Sequence, residues 1–341
     1  MRRDTGRAAV LTGLGGYVPE TVVSNREISS LLDTSDEWIF SRTGIRERRV
    51  ADADTSTGDL AVRAGARALE AAGGGGVDLI VLATTTPDYP CPATAPWVAD
   101  ALGLGPIPAY DVAAVCSGFV YALGIASAHI MSGQFERVLV IGADKFSSIL
   151  DPSDRTTMPI FGDGAGAAVL EAGSIGSPGA LLAVDLGSDG GNRRLISVPS
   201  GGSRRSPATS SRYFTMDGKA TYKQAIAHMT GSSRQVIARA GWTVEDVDWV
   251  VGHQANIRIL QGVADEMSIS RDKLVSNIDV VGNTSAASIP LAMCHGAVDA
   301  FGSGDLLVLT AFGGGLTWGS IALTWPKMAA SYLSHTNREV A

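Results

Sequence analysis

The amino-acid sequence predicts a layered α/β fold that contains two copies of one structural unit. Short runs of Val, Ile and Leu alternate with Ala-rich stretches along the 341 residues. These runs are continuously apolar, which is typical of strands that are buried on both faces between layers of helices. The second observation is an internal repeat that divides the chain near its middle.

The repeat is carried by two pairs of similar apolar segments that occur in the same order. Residues 77–81 resemble residues 247–251, at a separation of 170 residues. Residues 137–143 resemble residues 305–311, at a separation of 168 residues. Because the two separations are nearly equal and close to half the chain, we interpret them as a duplication.

Between these pairs, two further segments break at turns of small residues. Residues 111–119 and 278–286 each read as a strand-like run followed by a helix, with Cys116 and Asn283 at the turns. In a pseudo-symmetric pair of halves, these two turns would be equivalent and would face each other where strands end, which is where open α/β sheets bind ligands. The sequence therefore predicts two halves: residues 1–178 and residues 179–341.

Composition excludes several classes of function. The formal net charge of −7 argues against a general nucleic-acid-binding protein. No run of 18 apolar residues occurs, so we expect no membrane-spanning helix, and the N-terminal residues lack the apolar region of a signal peptide. Three cysteines are too few and too scattered for a disulfide framework, which favours a cytoplasmic location.

Cys116 is the strongest candidate nucleophile among the cysteines. It precedes a helix that is expected to extend to about Met131, and the positive end of a helix dipole favours the thiolate. The alternative is a buried structural cysteine. Cys294 falls in an expected helix over residues 291–300 and reads as a core residue, while Cys91 lies in a loop between two prolines.

His253 and Asn283 are candidates for polarising a carbonyl group. His253 follows a buried strand, where it could exchange or donate a proton, although it could equally be a hydrogen-bonded core histidine. Asn283 could donate to an oxyanion or could simply be a turn residue. The glycines that follow Phe312 would let backbone N–H groups approach a ligand. The other described helical histidines, His129, His228 and His295, show no metal-ligand spacing.

Three glycine-rich or serine-rich segments are not expected to carry chemistry. The glycines at 13–16 are not followed by a helix, so they do not form a dinucleotide-binding turn. The glycines at 73–76 lack the Lys-Ser/Thr of a phosphate loop and read as a helix C-terminal cap. Residues 200–212, rich in Ser, Gly and Arg, read as a mobile surface loop between the halves.

Three motifs together resemble those of a known family. They are Cys-Ser-Gly-Phe from Cys116, Gly-His-Gln-Ala-Asn around His253 and Gly-Asn-Thr-Ser-Ala-Ala-Ser around Asn283. This set is similar to the Cys-His-Asn triad of β-ketoacyl-acyl-carrier-protein synthase III in the thiolase superfamily. The resemblance implies a five-layered αβαβα fold and a homodimer. It leaves open whether the product primes fatty acid or polyketide synthesis, and which acyl-CoA is used.

The resemblance implies a reaction in two stages without a cofactor or a metal. Cys116 takes an acyl group from acyl-CoA, which is a substrate, while the N–H groups of Cys116 and Gly314 form the oxyanion hole. Malonyl-acyl-carrier protein then loses carbon dioxide, and His253 and Asn283 stabilise the resulting enolate. The carbanion attacks the acyl group on Cys116.

The resemblance also implies three sets of binding residues. Those for CoA are Trp38, Arg42, Arg155, Gly218 and Asn256. Those for docking of the carrier protein are Tyr222, Lys223 and Arg258. Those for the acyl pocket are Cys91 and Phe312. The chain departs from the family at Asp265-Glu266, where some members carry lysines, so the docking patch is expected to be smaller or displaced. Cys91 replaces a larger Phe, which would make room for primers longer than acetyl or branched.

Three other functions are compatible with the same residues. One is a different acyltransferase of the superfamily, forming esters or amides, or a plant-type polyketide synthase. Another is a cysteine hydrolase of acyl thioesters, which would use Cys116 and His253 and release free acid. The third is a catalytically silent partner subunit, against which the complete triad argues.

Overall fold

The computed structural model describes residues 6–328 and 331–332. Helices and strands alternate through most of this range. The strands are β1 (Arg7–Tyr17), β2 (Val22–Ser24), β3 (Glu47–Arg49), β4 (Leu79–Ala83), β5 (Ala109–Val112), β6 (Arg137–Asp144), β7 (Gly164–Ser174), β8 (Leu181–Ser188), β9 (Ile196–Ser197), β10 (Thr215–Met216), β11 (Trp249–Gly252), β12 (Leu306–Gly313), β13 (Thr317–Thr324) and β14 (Ser331–Tyr332). The α-helices are α1 (Asn25–Leu31), α2 (Asp36–Thr43), α3 (Thr57–Ala71), α4 (Ala95–Ala101), α5 (Gly118–Met131), α6 (Gly218–Arg239), α7 (Ile257–Met267), α8 (Ile278–Val281) and α9 (Ser288–Asp299).

Two mixed sheets form the centre of the fold. The first has the strand order β14-β1-β7-β6-β4-β5, and the second has the order β11-β12-β13-β8. In each sheet a parallel pair, β4 with β6 or β11 with β12, continues through two antiparallel neighbours. The order β4-β6-β7-β1 therefore matches β11-β12-β13-β8, which confirms the duplicated thiolase-like fold that the sequence predicts.

The second sheet lacks a full counterpart of β5. Only an isolated parallel bridge joins Val250 of β11 to Leu274. The expected strand at the start of residues 278–286 is wrong, because residues 278–281 form the short helix α8. Its two buried side chains, Ile278 and Val281, are three positions apart, which is the spacing of a helical turn and not the alternation of a strand.

Helices cover both faces of both sheets. Helix α3 packs on β1 and β7, whereas α6 packs on β8, β12 and β13. Helices α5 and α9 lie between the sheets, since α5 contacts strands of both and α9 contacts β1, β7 and β11. The result is the expected sequence of five layers, with the Cys116 helix in the middle layer.

Close approach of α3 to β1 explains the first glycine cluster. Gly13 and Gly15 lie inside β1, and not after a strand as expected. A Cβ atom at Gly15 would lie 2.6 Å from the carbonyl oxygen of Ala64 and 2.7 Å from Cβ of Arg67, both in α3. These glycines therefore make room for helix packing.

The division of the chain at residues 178 and 179 remains a prediction. It falls in the connection between β7, which ends at Ser174, and β8, which begins at Leu181. None of the helices in the described range has the length and apolar character needed to cross a membrane.

Candidate active site

The site is built from two matching turns, one from each half. Each turn is a single 3₁₀ turn, Val115–Ser117 or Ser285–Ala287, and each leads into a helix of the middle layer. The first residue of each turn has left-handed backbone geometry, with φ of 47° at Val115 and 51° at Ser285. Such geometry is unfavourable for residues other than glycine and clusters at functional sites.

The match between the turns corrects one expectation from the sequence. Val115 and Ser285 are 170 residues apart, as are the starts of α5 and α9. The counterpart of Cys116 is therefore Ala286, and not Asn283. Asn283 instead stands just before its turn, where it can reach past the turn towards Cys116 only through the residues that follow it.

Cys116 lies in the first turn and is almost fully buried. Its exposed fraction is 8%, and its Sγ atom lies 3.8 Å from Oγ of Ser285. Burial raises the pKa of the thiol to about 12, and the hydrogen bond with Ser285 offsets only part of that effect. The expectation that the helix would favour the thiolate is thus wrong for the unliganded protein, because the loss of hydration outweighs the helix dipole.

His253 follows directly after β11 and is held on two sides. Its backbone N–H donates to the carbonyl oxygen of Thr310 in β12, at 2.8 Å. Its Nδ1 atom lies 2.6 Å from Oγ of Ser288, the first residue of α9. Burial lowers the pKa of the imidazole to about 3, so the ring is neutral at physiological pH.

Asn283 is fixed by its backbone and by its side chain. Its N–H donates to the carbonyl oxygen of Ile160 at 3.0 Å, and its own carbonyl oxygen accepts from the N–H of Gly162 at 2.9 Å. Its side-chain Oδ1 accepts from the N–H of Ser285 at 2.9 Å. Because the oxygen is engaged in this way, the NH₂ group is the end that is available to a ligand.

One short segment, residues 283–288, therefore organises the three candidate groups. Ser285 contacts both Cys116 and Asn283, and Ser288 contacts His253. Neither serine was identified as a site residue from the sequence, although both stand in the motif that begins at Gly282. The available signal was a polar residue at each position where the motif returns to the same side of a helical turn.

A buried carboxylate, Asp144, also escaped the sequence analysis. It is fully buried at the end of β6. Its Oδ1 accepts hydrogen bonds from Thr84, Thr85 and Thr86, and its Oδ2 accepts from the N–H of Ala286 at 3.0 Å. Burial raises the pKa of this carboxyl group and the hydrogen bonds oppose that rise. A single Asp after an apolar run gives no pattern that marks it in advance.

A cavity of about 480 Å³ leads towards this segment from the surface. Asn283 is a buried lining residue, whereas Arg42 and Lys223 are exposed. The cavity is lined by most residues that the sequence analysis assigned to CoA binding and docking: Trp38, Arg42, Gly218, Tyr222, Lys223, Asn256 and Arg258.

Arg155 lies beside this cavity, next to Trp38. The guanidinium carbon of Arg155 is 5.7 Å from the centroid of the Trp38 ring, and that of Arg42 is 4.8 Å from it. Arg155 also forms an ion pair of 2.8 Å with the exposed Asp33. The three residues thus offer one aromatic face and two cations at an accessible site.

The strand β12 brings its glycine turn against Cys116. A Cβ atom at Gly313 would lie 2.8 Å from the backbone nitrogen of Cys116, and one at Gly314 would lie 3.1 Å from a methyl group of Val115. Phe312 is buried just before them, with its ring 6.0 Å from that of His228. Cys91 is exposed and does not line the cavity that contains Asn283.

Comparison with known proteins shows the family of this chain. Models of 3-oxoacyl-[acyl-carrier-protein] synthase III and of its C-terminal region match residues 110–190 and 237–325. The β-ketoacyl-[acyl-carrier-protein] synthase III 5 of Streptomyces coelicolor is 56% identical over 95% of this chain and 99% of its own length. The chain belongs to the β-ketoacyl-[acyl-carrier-protein] synthase III family. It is a condensing transferase.

Further relatives agree with this membership of the synthase III family. The synthase III of Pseudomonas aeruginosa is 52% identical over 94% of this chain and 98% of its own length. A crystal structure of 3-oxoacyl-(acyl carrier protein) synthase III from the same species has a TM-score of 0.90 and 50% identity, covering 94% of this chain and 99% of that one. The priming β-ketosynthase of a polyketide pathway has a TM-score of 0.89 and 33% identity, covering 96% and 98%.

Proposed function

We propose that this synthase condenses an acyl group from acyl-CoA with malonyl-acyl-carrier protein, using Cys116 as the nucleophile. The observation that carries the proposal is the segment 283–288, which contacts Cys116 and His253 and includes Asn283. A thiol, a neutral imidazole and an amide are the groups that such a reaction needs. The product primes fatty acid or polyketide synthesis.

The first stage transfers the acyl group to the enzyme. The sulfur of Cys116 attacks the thioester carbonyl of acyl-CoA, the bond to the CoA sulfur breaks, and the thiol proton leaves with CoA as its free thiol. With a thiol pKa of about 12, proton loss accompanies the attack and does not precede it. The N–H groups of Cys116 and Gly314 accept the developing oxyanion as hydrogen-bond donors.

The second stage forms the carbon–carbon bond. His253 Nε2–H and the Asn283 amide donate to the thioester oxygen of the malonyl group while carbon dioxide leaves. The carbanion attacks the acyl carbonyl, and the sulfur of Cys116 is released and regains a proton. The contact between Ser288 Oγ and His253 Nδ1 supports this role, because a hydroxyl that donates to Nδ1 leaves the proton on Nε2.

For the first substrate, Trp38, Arg42 and Arg155 form the CoA-binding entrance in this proposal. An aromatic face and guanidinium groups suit an adenine ring and phosphates. Gly218 and Asn256 line the same cavity and would contact the pantetheine arm. Loss of Trp38 should raise the KM for acyl-CoA, and an unchanged KM would contradict this assignment.

For the second substrate, Tyr222, Lys223 and Arg258 dock the carrier protein. The Tyr222 hydroxyl donates to the carbonyl oxygen of Arg258 at 3.4 Å, so the residues form one surface at the cavity. A basic surface suits an acidic partner. If Lys223→Glu left the KM for malonyl-carrier protein unchanged, this docking role would fall.

We further propose a cytoplasmic homodimer in which Cys91, with Phe312, lines the acyl pocket of the partner subunit. The exposure of Cys91, and of Tyr89 and Trp97 on the same side of the sequence, supports an interface there. Sedimentation should give about twice the chain mass of 35.2 kDa. A Cys91→Phe variant that ranks acetyl and butyryl primers as the wild type does would contradict the pocket assignment.

The reaction is tested by incubating the protein with a panel of acyl-CoAs and locating the added acyl group by peptide mass spectrometry. We expect one acyl group on Cys116, its loss in Cys116→Ala, and its persistence in the matched control Cys91→Ala. Addition of malonyl-carrier protein should convert the acyl-enzyme to β-ketoacyl-carrier protein. Rapid release of free acid without malonyl-carrier protein would instead identify a hydrolase.

A further inference from the structure

An open cleft of about 750 Å³ lies on the C-terminal half, apart from the cavity that leads to Asn283. Two pairs of consecutive arginines line it. Arg193 and Arg194 come just before β9, and Arg204 and Arg205 lie in the connection between β9 and β10. We call this the arginine cleft.

The charges of the arginine cleft are not neutralised within the described part of the chain. All four side chains are exposed, and none of them takes part in an ion pair there. The cleft lining contains no Asp or Glu. Four uncompensated cations stand out in a chain whose net charge is −7.

The two nearest carboxylates along the chain are already engaged. Asp189 accepts hydrogen bonds from Gly191 and Asn192 within its own turn. Asp217 accepts from the N–H of Ala220 and caps the N-terminus of α6. Because both groups stabilise local backbone structure, they do not serve as counter-ions for the arginines.

The arginine cleft and the active-site cavity share a wall. The two-stranded ribbon of β9 and β10 pairs Thr215 with Ser197 and Met216 with Ile196. Thr215 lines the cleft, and its neighbour Met216 lines the cavity. A macromolecule that inserts an arm into the cavity would therefore cover the cleft with its body.

We infer that the arginine cleft docks the acidic carrier protein that delivers the malonyl group, extending the basic surface from Lys223 and Arg258 across the β9–β10 ribbon. This inference rests on the proposed function. Charge complementarity over such a surface accelerates encounter and fixes the orientation of the partner. It also replaces the basic positions that the chain lacks at Asp265-Glu266. The small phosphates of CoA would need fewer cations, closer to Trp38.

Steady-state kinetics with malonyl-carrier protein and acyl-CoA test the inference. The quadruple Arg→Ala variant at 193, 194, 204 and 205 should raise the KM for malonyl-carrier protein roughly five- to tenfold at low salt. The kcat and the KM for acyl-CoA should stay within about twofold, and the difference from wild type should shrink in about 0.5 M salt. A variant with Lys at all four positions should recover most of the affinity.

Arg204→Ala/Arg205→Ala and Arg234→Ala/Lys327→Ala form a matched pair, since each removes two exposed positive charges and only the first touches the cleft. Equal kinetics for the two double variants would overturn the inference, and so would a rise confined to the KM for acyl-CoA, which would assign the arginines to CoA phosphates. If wild type itself forms no β-ketoacyl-carrier protein, the proposed function fails; if wild type is active and the arginine variants match it, only the docking inference fails.

Discussion

At the scale of single residues, burial determines which chemistry the titratable groups can perform. The Cys116 thiol and the His253 imidazole are both excluded from water, and each is driven to its neutral form. A neutral imidazole can donate a hydrogen bond to an enolate oxygen and has little tendency to act as a base. The pair is therefore suited to decarboxylation, and not to the ion-pair activation that hydrolytic cysteines use.

The pH dependence of decarboxylation follows from the lowered pKa of His253. An ordinary histidine, with a pKa near 6.5, would be neutral in only ~3% of molecules at pH 5. With a pKa of about 3, His253 stays neutral throughout this range. We expect malonyl-carrier-protein decarboxylation by the Cys116→Ala variant to be flat within about twofold from pH 5 to pH 8. A fall of roughly 30-fold towards pH 5 would show an imidazole that titrates normally.

The same shift affects stability with a definite sign. His253 binds a proton near pH 6.5 in the unfolded chain and only near pH 3 in the folded one. The unfolded state therefore binds more protons between these values, and stability falls as the pH is lowered from about 6.5 to about 3. His253→Gln should remove this contribution, which is seen by comparing the free energies of unfolding of variant and wild type at pH 7 and pH 4.5.

The three principal site residues could be proposed from the sequence because each stands in a motif at the end of an apolar run. Ser285, Ser288 and Asp144 could not, since their importance depends on contacts across the fold. The protonation states were also beyond sequence reasoning: the position of Cys116 before a helix is visible in the sequence, but the degree of its desolvation is not.

At the scale of elements, the Ser285–Ala287 turn is held in place by the strand β6. A Cβ atom at Gly142 of β6 would lie 2.9 Å from the carbonyl carbon of Ala286. This distance is too short for a real contact with backbone, so a larger residue must displace the turn. The turn carries Ser285 and leads into Ser288, and its displacement should disturb Asn283 and His253 together.

We therefore expect Gly142→Ala to cost about 1–3 kcal/mol of folding free energy, the usual range for overpacking. Its condensation rate should fall further than a stability loss of that size explains at a temperature where the protein remains folded. Urea unfolding and steady-state rates measure the two effects. Gly76→Ala is the control, because a Cβ atom there meets nothing within 4 Å. Wild-type activity in folded Gly142→Ala would show that the turn tolerates displacement.

Most elements around the site were predictable from hydrophobic patterns. The strand before His253, and the helix from the Cys116 turn to Met131, are where the sequence places them. Residues 278–281 were misassigned because a short apolar run fits a strand or one helical turn equally well. The equivalence of Cys116 with Ala286 was likewise hidden, since the left-handed geometry that marks the two turns has no signature in residue type at Val115.

At the scale of the whole molecule, Asp144 joins the two duplicated halves at the site. It belongs to a strand of the first sheet, and it accepts the N–H of Ala286 from the second half. Its other oxygen holds the residues that follow β4. The carboxylate therefore fixes the relative position of the two turns that carry Cys116 and Ser285.

Asp144→Asn should lower the free energy of unfolding by about 1–3 kcal/mol, because an amide NH₂ would replace one acceptor oxygen among buried donors. Asp78→Asn is the matched control: Asp78 also accepts two backbone N–H groups, at 2.8 and 2.9 Å, but it is exposed. Water can satisfy those donors in the control, so we expect a smaller loss. Equal losses in chemical denaturation would show that burial of Asp144 is unimportant.

The duplication itself could be read from the sequence because two apolar segments recur at nearly one separation. The arrangement of the halves as interleaved layers, with α5 and α9 between the sheets, could be proposed only through the family resemblance. The cavity and the arginine cleft depend on how loops from distant parts of the chain meet, which no local pattern encodes.

The central claim is that Cys116 carries the acyl group while His253 and Asn283 serve the decarboxylation of the malonyl group. Measuring the two half-reactions separately in His253→Ala and Asn283→Ala tests it most directly. Acylation of Cys116, followed by mass spectrometry after rapid quenching, should stay within about tenfold of wild type, whereas decarboxylation of malonyl-carrier protein should fall about 10²–10³-fold, the usual cost of losing one oxyanion donor. Equal loss of both half-reactions in either variant would contradict the division of roles.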